Sequence, residues 1–513
     1  MSETHASQDP AVGGEQRGKP GPLRRFWHWF QNRERDPEFR RWRRRRRAWM
    51  AGFLVVAHVV GALTSVHSLM NTRTPQGTIA WVVALNSLPV VAVPAYWMFG
   101  RSRFGGYVES RRARDAEVAD QFEGLGERYA TYVPEEGTRR AGEKLARLPF
   151  LGGNEVELLI DGAAGFDSML AGIDEAEDYV LVEFYIVRDD DLGRRLADRL
   201  MAKARQGVDV YLLYDAIGSA GLDDEYLGPL EEAGVRASPF RSNQGVRRSQ
   251  MNFRNHRKIL VVDGEVGWTG GLNVGDEYLG LDPEFGAWRD THVRVAGPAV
   301  AGLQVPFFED WHWATGDVLE LDWQPPAAGR GDAAALVVAS GPADRLETAS
   351  LLMQQVIHQA EERLWLATPY FIPDPGVLAA LHLAVLRGVD VRLLVPETTD
   401  SRFVQLAHPV YLEDLLETGV PVYLYDDGFM HQKTWLVDDE LAGVGTLNLD
   451  NRSLRLNFEV VAVVSDAAFA GDMEKMFEAD FGRSRRLTLE EVQGRPFWHK
   501  VASRASYLAS PIQ

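Results

Sequence analysis

Two apolar runs stand near the start of the chain, residues 48–70 and 77–100, and neither contains Asp, Glu, Lys or Arg. Each is about as long as a helix must be to cross a hydrocarbon core of roughly 30 Å. The connector, residues 71–76, is short, so the pattern predicts a transmembrane helical hairpin. Trp49, Trp81, Tyr96 and Trp97 lie near the ends of the runs, where amphipathic rings settle at a membrane interface. His58, His67, Asn86, Pro89 and Pro94 fit the competing reading, a pair of buried core helices.

Downstream the pattern becomes α/β. Residues 179–187 (YVLVEFYIV) read as a buried strand, 192–204 as a helix and 208–213 as a second buried strand. The same order returns: strand 364–372, helix 377–386, and a strand in 387–394. The segment RGVDVRLL at 387–394 closely repeats QGVDVYLL at 206–213, so the chain carries a duplicated unit. Strand, crossover helix and strand imply parallel pairs in each copy. A turn-rich stretch at 325–332 separates the copies. The expected organisation is a disordered and basic tail at 1–47, two transmembrane helices at 48–100 and a connecting segment at 101–150. Two α/β domains follow at 151–325 and 326–513.

Charge sharpens the membrane reading. The 513 residues carry a formal net charge of -18, yet seven of the eight residues at 40–47 are arginine. Arginine returns after the second run at Arg101, Arg103, Arg111, Arg112 and Arg114, while the connector holds only Arg73. By the positive-inside rule both outer ends, and everything downstream, belong in the cytoplasm. The acidic body argues against a nucleic-acid partner, which requires basic surface. The chain has no cysteine, which excludes disulfides, thiolate metal sites and a cysteine nucleophile. No small-residue cleavage site closely follows the apolar run, so it is not read as a secretory signal.

Each copy contains one chemically dense segment. In the first it is His256-Arg-Lys258 with Asp263, then Gly270-Gly-Leu-Asn273. In the second it is His431-Gln-Lys433 with Asp438, then Gly445-Thr-Leu-Asn448, at identical internal spacing. On an extended strand, side chains two apart share a face, so each histidine is expected to project with its lysine. Two copies facing one another would gather two imidazoles, two ammonium groups and two carboxamides around one pocket. That set suits a phosphodiester. Ammonium and amide groups stabilise the negative charge, one imidazole attacks phosphorus, and the other protonates the leaving oxygen. No metal is required, because the lysines neutralise charge. Asp290 and Glu459 stand at similar distances downstream and are expected to orient the histidines.

These segments resemble the paired HKD motifs of the phospholipase D superfamily, and the strings are closest to bacterial cardiolipin synthases. The strings are FRNHRKILVVDG (253–264), TGGLNVGDEY (269–278), WRDTHVRVAGPAV (288–300), TPYFIPD (368–374) and HQKTWLVDDELAGVGTLNLDNRSLRLNFEV (431–460). The two-helix N-terminal anchor is similar as well. The resemblance implies duplicated phospholipase D-type domains, each a mixed sheet flanked by helices. It implies His256 as nucleophile, His431 as general acid, and Lys258, Lys433, Asn273 and Asn448 as phosphate ligands. Asp263 and Asp438 complete the motifs in a structural part. No cofactor and no metal are implied.

The implied reaction is phosphatidyl transfer between two phosphatidylglycerol molecules, giving cardiolipin and glycerol. The implied site of action is the bacterial inner membrane, with a multi-pass anchor and cytoplasmic catalytic domains. One departure is visible: many superfamily members have serine after the motif glycine, where this chain has Gly271 and Thr446. Phe307, Phe308, Trp311 and Trp313 are read either as lipid contacts or as core aromatics. Water as acceptor would make the chain a phospholipase D. A tethered endonuclease of the superfamily would carry the same motifs, although the acidic body counts against it. Intact residues in both motifs count against a non-catalytic membrane scaffold.

Overall fold

The computed structural model describes residues 37–72, 75–100, 107, 136–241, 252–283, 285–323 and 331–508. The expectations for residues 1–36 and for most of the 325–332 break lie outside the described residues. The chain forms two compact units that part between Tyr96 and Trp97.

The first unit holds helix α1 (Pro37–Asn71), helix α2 (Pro75–Ser87) and the first part of helix α3 (Pro89–Phe99). Each begins on a proline, whose missing N–H costs nothing in a first helical turn. Glu38 adds a favourable negative charge near the start of α1. The helix therefore starts well before the apolar run and takes in Arg40–Arg47, which corrects the expectation of a disordered tail there. α1 is long and apolar enough to cross a membrane. Phe53, Val55, Val56, Leu63 and Leu69 on it are exposed, as lipid-facing residues would be.

The second apolar run is not one continuous helix. Pro89 cannot donate to the Leu85 carbonyl, and the run divides into α2 and α3 at Leu88. α1 packs against α2 through small residues, as helices do in lipid. A Cβ on Gly61 would stand 2.3 Å from the Leu85 carbonyl oxygen. Asn86 donates to the Ser65 hydroxyl at 2.9 Å, and His67 Nδ1 meets the Tyr96 hydroxyl at 2.8 Å.

The second unit contains one 16-stranded mixed sheet, fifteen strands in one path and the short strand Arg254–Asn255 beside it. The first copy contributes β1 (Leu151–Ile160), β2 (Tyr179–Phe184), β3 (Asp209–Asp215), β4 (Arg236–Phe240), β5 (Ile259–Val262), β6 (Val266–Gly270) and β7 (Thr291–Ala296). The second contributes β8 (Ala333–Ser340), β9 (Arg363–Ala367), β10 (Asp390–Pro396), β11 (Val422–Tyr425), β12 (Thr434–Val437), β13 (Leu441–Gly445), β14 (Asn457–Ser465) and β15 (Ser484–Leu487). From β1 outward the order is β1-β7-β6-β5-β2-β3-β4, and from β8 outward it is β8-β14-β13-β12-β9-β10-β11-β15. The duplication is thus explicit, and the copies meet where β1 and β8 pair antiparallel. Strands β2 and β3 pair in parallel, as do β9 and β10, through the expected crossover helices Asp191–Arg205 and Pro375–Leu386.

Three apolar clusters hold this unit. Two lie under the outer helices of each copy, and the third joins the copies. Phe307, Phe308 and Trp311 of helix Ala301–Thr315 sit in the shared cluster, so they are core aromatics. Each such side chain contributes roughly 1.5–3 kcal/mol by leaving water. Trp313 is half-buried and donates to the Arg241 carbonyl at 3.1 Å. The segment expected merely to connect, 101–150, supplies the helix Glu136–Ala146 and the buried Tyr107, whose hydroxyl donates to Asp310 at 2.6 Å.

Candidate active site

The two motifs interlock across the copies. The short strand Arg254–Asn255 pairs in parallel with the start of β14, and the His256 N–H donates to the Phe458 carbonyl at 3.0 Å. Reciprocally, strand Phe429–Met430 pairs with Trp288–Arg289, and the His431 N–H donates to the Arg289 carbonyl at 2.8 Å. Each histidine is therefore seated on backbone from the other copy. Its carboxylate partner is exchanged in the same way. His256 Nδ1 lies 2.9 Å from Glu459 Oε2, and His431 Nδ1 lies 2.9 Å from Asp290 Oδ2.

The residue after each histidine points away from it into a buried polar layer. Arg257 pairs with Asp310, while Gln432 donates to Asp480 at 2.8 Å, beside Arg289. These bonds keep the two histidine segments from rotating. Neither His256 nor Lys258 lies within β5, which starts at Ile259, so the expected shared strand face is replaced by a tighter arrangement. Lys258 Nζ turns back to donate to the His256 carbonyl at 2.8 Å, and Lys433 does the same to the His431 carbonyl.

Burial dominates the electrostatics. It pushes His256 down to about 4, with Lys258 and Lys433 adding to the effect and Glu459 opposing it. His431 is also lowered, by burial and by Lys433. Without a bound anion both imidazoles are neutral at pH 7. Burial alone would raise the two carboxylates. For Asp290 the Lys433 charge and the His431 hydrogen bond outweigh it, and for Glu459 the His256 interactions and Lys258 do. Both acids are held below their ordinary values, so they accept from Nδ1–H and leave the Nε2 lone pair available. Lys258 is lowered to about 7 by burial and by the nearby Lys433 charge; Lys433 is lowered to about 8 by burial. An anion between the two ammonium groups relieves both penalties.

The Gly271 and Thr446 positions serve the carboxylates. A Cβ on Gly271 would stand 1.9 Å from Asp290 Oδ1, so a bare glycine is what lets Asp290 sit there. In the other copy the Thr446 hydroxyl donates to Glu459 Oε2 at 2.5 Å. Asn273 receives the Ile186 N–H at 3.1 Å and donates to the Tyr278 hydroxyl at 2.8 Å, which fixes its amide at the cleft wall.

Asp263 and Asp438 stand at the far ends of β5 and β12 from the histidines and take no part in the pocket. Asp263 accepts the N–H groups of Glu177, Asp178 and Tyr179, each at 2.8 Å. Asp438 accepts those of Glu361, Glu362 and Arg363. Both adopt positive φ, 52° and 48°, a conformation aspartate tolerates better than most residues. Both clamp turns.

His256, His431, Asn273 and Asn448 line one open cleft of about 750 Å³. Tyr185, Arg254, Tyr278, Trp288, Tyr370, Asp400, Asp450 and Arg452 line it too, and sequence reasoning gave none of them a role. The Tyr185 ring lies 5.1 Å from that of His256, and the Trp288 ring 5.3 Å from that of His431. Tyr370 donates to Asp400 at 2.6 Å.

Paired histidines, lysines and asparagines on a duplicated α/β sheet define a phospholipase-D-like double domain. Residues 169–309 and 353–481 match the family described as cardiolipin synthase, PLD-like domain, and 59–101 match the one described as phospholipase D-nuclease N-terminal. Cardiolipin synthase A of Pseudomonas aeruginosa is 46% identical over 467 residues, covering 90% of this chain and 95% of that protein. Its counterpart in Pseudomonas fluorescens is 44% identical over 472 residues, covering 90% and 98%. Phosphatidylserine synthase of Haemophilus influenzae shares the fold, with a TM-score of 0.58 at 17% identity, covering 74% of this chain and all of that one. The chain belongs to the cardiolipin synthase family of the phospholipase D superfamily.

Proposed function

We propose that the protein transfers a phosphatidyl group from one phosphatidylglycerol to another, yielding cardiolipin and glycerol. The observation that carries this reading is the crossed pair of carboxylate-oriented histidines in one cleft. In the first step the anionic phosphodiester beside His431 favours its protonated form; His256 Nε2 attacks phosphorus, the P–O bond to glycerol breaks, and His431 delivers its Nε2 proton to the departing oxygen. Lys258, Lys433, Asn273 and Asn448 stabilise the charge that builds on the non-bridging oxygens. In the second step the glycerol hydroxyl of another phosphatidylglycerol attacks the phosphatidyl-histidine. Its proton passes to His431, now neutral, and the P–N bond breaks. Asp290 and Glu459 act through the histidines, by holding the tautomer and ring orientation.

The membrane arrangement belongs to the same proposal. α1 spans the bilayer, α2 and α3 return across it as a broken second span, and the second unit lies in the cytoplasm. The arginines at 40–47 and beyond 100, against a single one in the connector, support this orientation.

The test is purified full chain in detergent with labelled phosphatidylglycerol. Cardiolipin with free glycerol in equal amounts is the expected result. Phosphatidic acid in place of cardiolipin would mean that water is the acceptor.

A further inference from the structure

The duplication is broken at one place beside the chemistry. Two residues before His256 stands Arg254, while two before His431 stands Phe429. Four residues after Asn448 stands Arg452, while four after Asn273 stands Glu277. Phe429 packs against Trp288 at 4.7 Å between ring centres, and Glu277 pairs with Arg188. One wall of the site thus carries two arginines where its symmetry mate carries an aromatic ring and an acid.

Both arginines line the cleft, and they are held there by a common segment. Arg452 donates to the Asn252 side chain at 3.0 Å and to its carbonyl at 2.8 Å, and Arg254 donates to the Phe253 carbonyl at 2.8 Å. Tyr185 is hydrogen-bonded to Arg254, and its ring lies 5.1 Å from that of His256. Arg452 is half-buried, and its charge is disfavoured by burial and then by the nearby Arg254, with Asp450 opposing. Two guanidinium groups brought together in a partly desolvated wall are stabilised by an anion. The second step of the proposed reaction brings one. The phosphate under attack lies among the histidines and lysines, and the acceptor lipid carries a second phosphate one glycerol away. Besides the motif histidines, Arg254 and Arg452 are the basic side chains among the described residues that line the cleft.

We infer that Arg254 and Arg452 form a second anion site, which receives the phosphate of the acceptor phospholipid and favours lipid over water or free glycerol as acceptor. The inference rests on the functional reading above. It also explains why only one wall is basic. The donor phosphate is met by both copies symmetrically, whereas the acceptor phosphate lies to one side.

The test compares two reactions of the full chain in phosphatidylglycerol–detergent micelles. Incorporation of labelled free glycerol into phosphatidylglycerol reverses the first step with an acceptor that has no phosphate. Cardiolipin formation requires one that has it. Arg254→Gln and Arg452→Gln are expected to lower cardiolipin formation about tenfold or more relative to glycerol exchange, the scale of one lost charge-assisted hydrogen bond. Arg452→Lys should recover part of the loss. Glycerol exchange reports folding directly. Should Arg452→Gln be inactive in both reactions, Arg254→Gln and Arg452→Lys decide. An unchanged ratio of the two rates in those variants overturns the inference. Wild-type protein that exchanges glycerol yet makes no cardiolipin would overturn the functional reading instead.

Discussion

Glu459 Oε2 and His256 Nδ1 lie 2.9 Å apart, although one belongs to the second copy and the other to the first. The reciprocal pair, Asp290 and His431, has the same separation. Neither copy holds a histidine–carboxylate pair by itself, so the proposed chemistry requires the duplication. Each half supplies an imidazole to the pocket and a carboxylate to its partner.

Removing either carboxylate charge should therefore damage turnover more than substrate binding. Asp290→Asn and Glu459→Gln preserve shape but weaken control of tautomer and orientation. Each is expected to lower kcat by about 10–100-fold with KM little changed, the range seen when a group behind a functional histidine is lost. A rise in KM with kcat intact would show that these acids govern substrate binding rather than the histidines.

The turn aspartates should behave differently. Asp438→Ala leaves three backbone N–H groups without their acceptor, at a cost of roughly 1–3 kcal/mol. The thermal unfolding midpoint should fall, while kcat of the remaining folded protein stays near that of wild type. A large loss of kcat with no change in unfolding would contradict the assignment of Asp438 as a clamp.

The lysines add to the alkaline limb that the proton on His431 begins. Burial and the Lys433 charge bring Lys258 down to about 7, and burial brings Lys433 down to about 8, so raising pH through this window removes positive charge. Bound phosphate favours the charged forms and moves both values up. The ratio kcat/KM, which reports free enzyme, should decline from about pH 7–8, while kcat holds to higher pH. Identical alkaline limbs for both parameters would contradict this.

The absence of native cysteine makes the membrane proposal directly testable. A cysteine at Thr74, in the connector, should react with an impermeant maleimide added outside intact cells. One at Lys475, an exposed position of the second unit, should react only after lysis. The reverse pattern would invert the topology.

Much of this was legible in the chain because the chemistry is local. A histidine and lysine two residues apart, and a glycine with asparagine three residues on, survive as a written motif whatever the fold. Repetition of RGVDVRLL revealed the duplicated sheet for the same reason. What spacing cannot express is which copy a side chain serves. Asp290 and Glu459 stand at matching places downstream, yet each crosses to the other histidine. Tyr185 and Tyr370 read as parts of strands, and became walls of the cleft only when the copies closed on one another. The apolar count at 77–100 matched a spanning helix, but it could not show that Pro89 interrupts the backbone bonds there.

The most direct measurement of the central claim concerns the two histidines. On the proposed roles, His431→Ala keeps the nucleophile and lacks the proton donor, whose help is typically worth roughly 10²–10⁴ in rate. A p-nitrophenyl phosphodiester needs far less protonation to leave. With that substrate His431→Ala should recover part of its first-step activity and accumulate a phosphoryl group that mass spectrometry places on His256. His256→Ala should stay inactive on both substrates. Rescue of His256→Ala, with the phosphoryl group found on His431, would contradict the account.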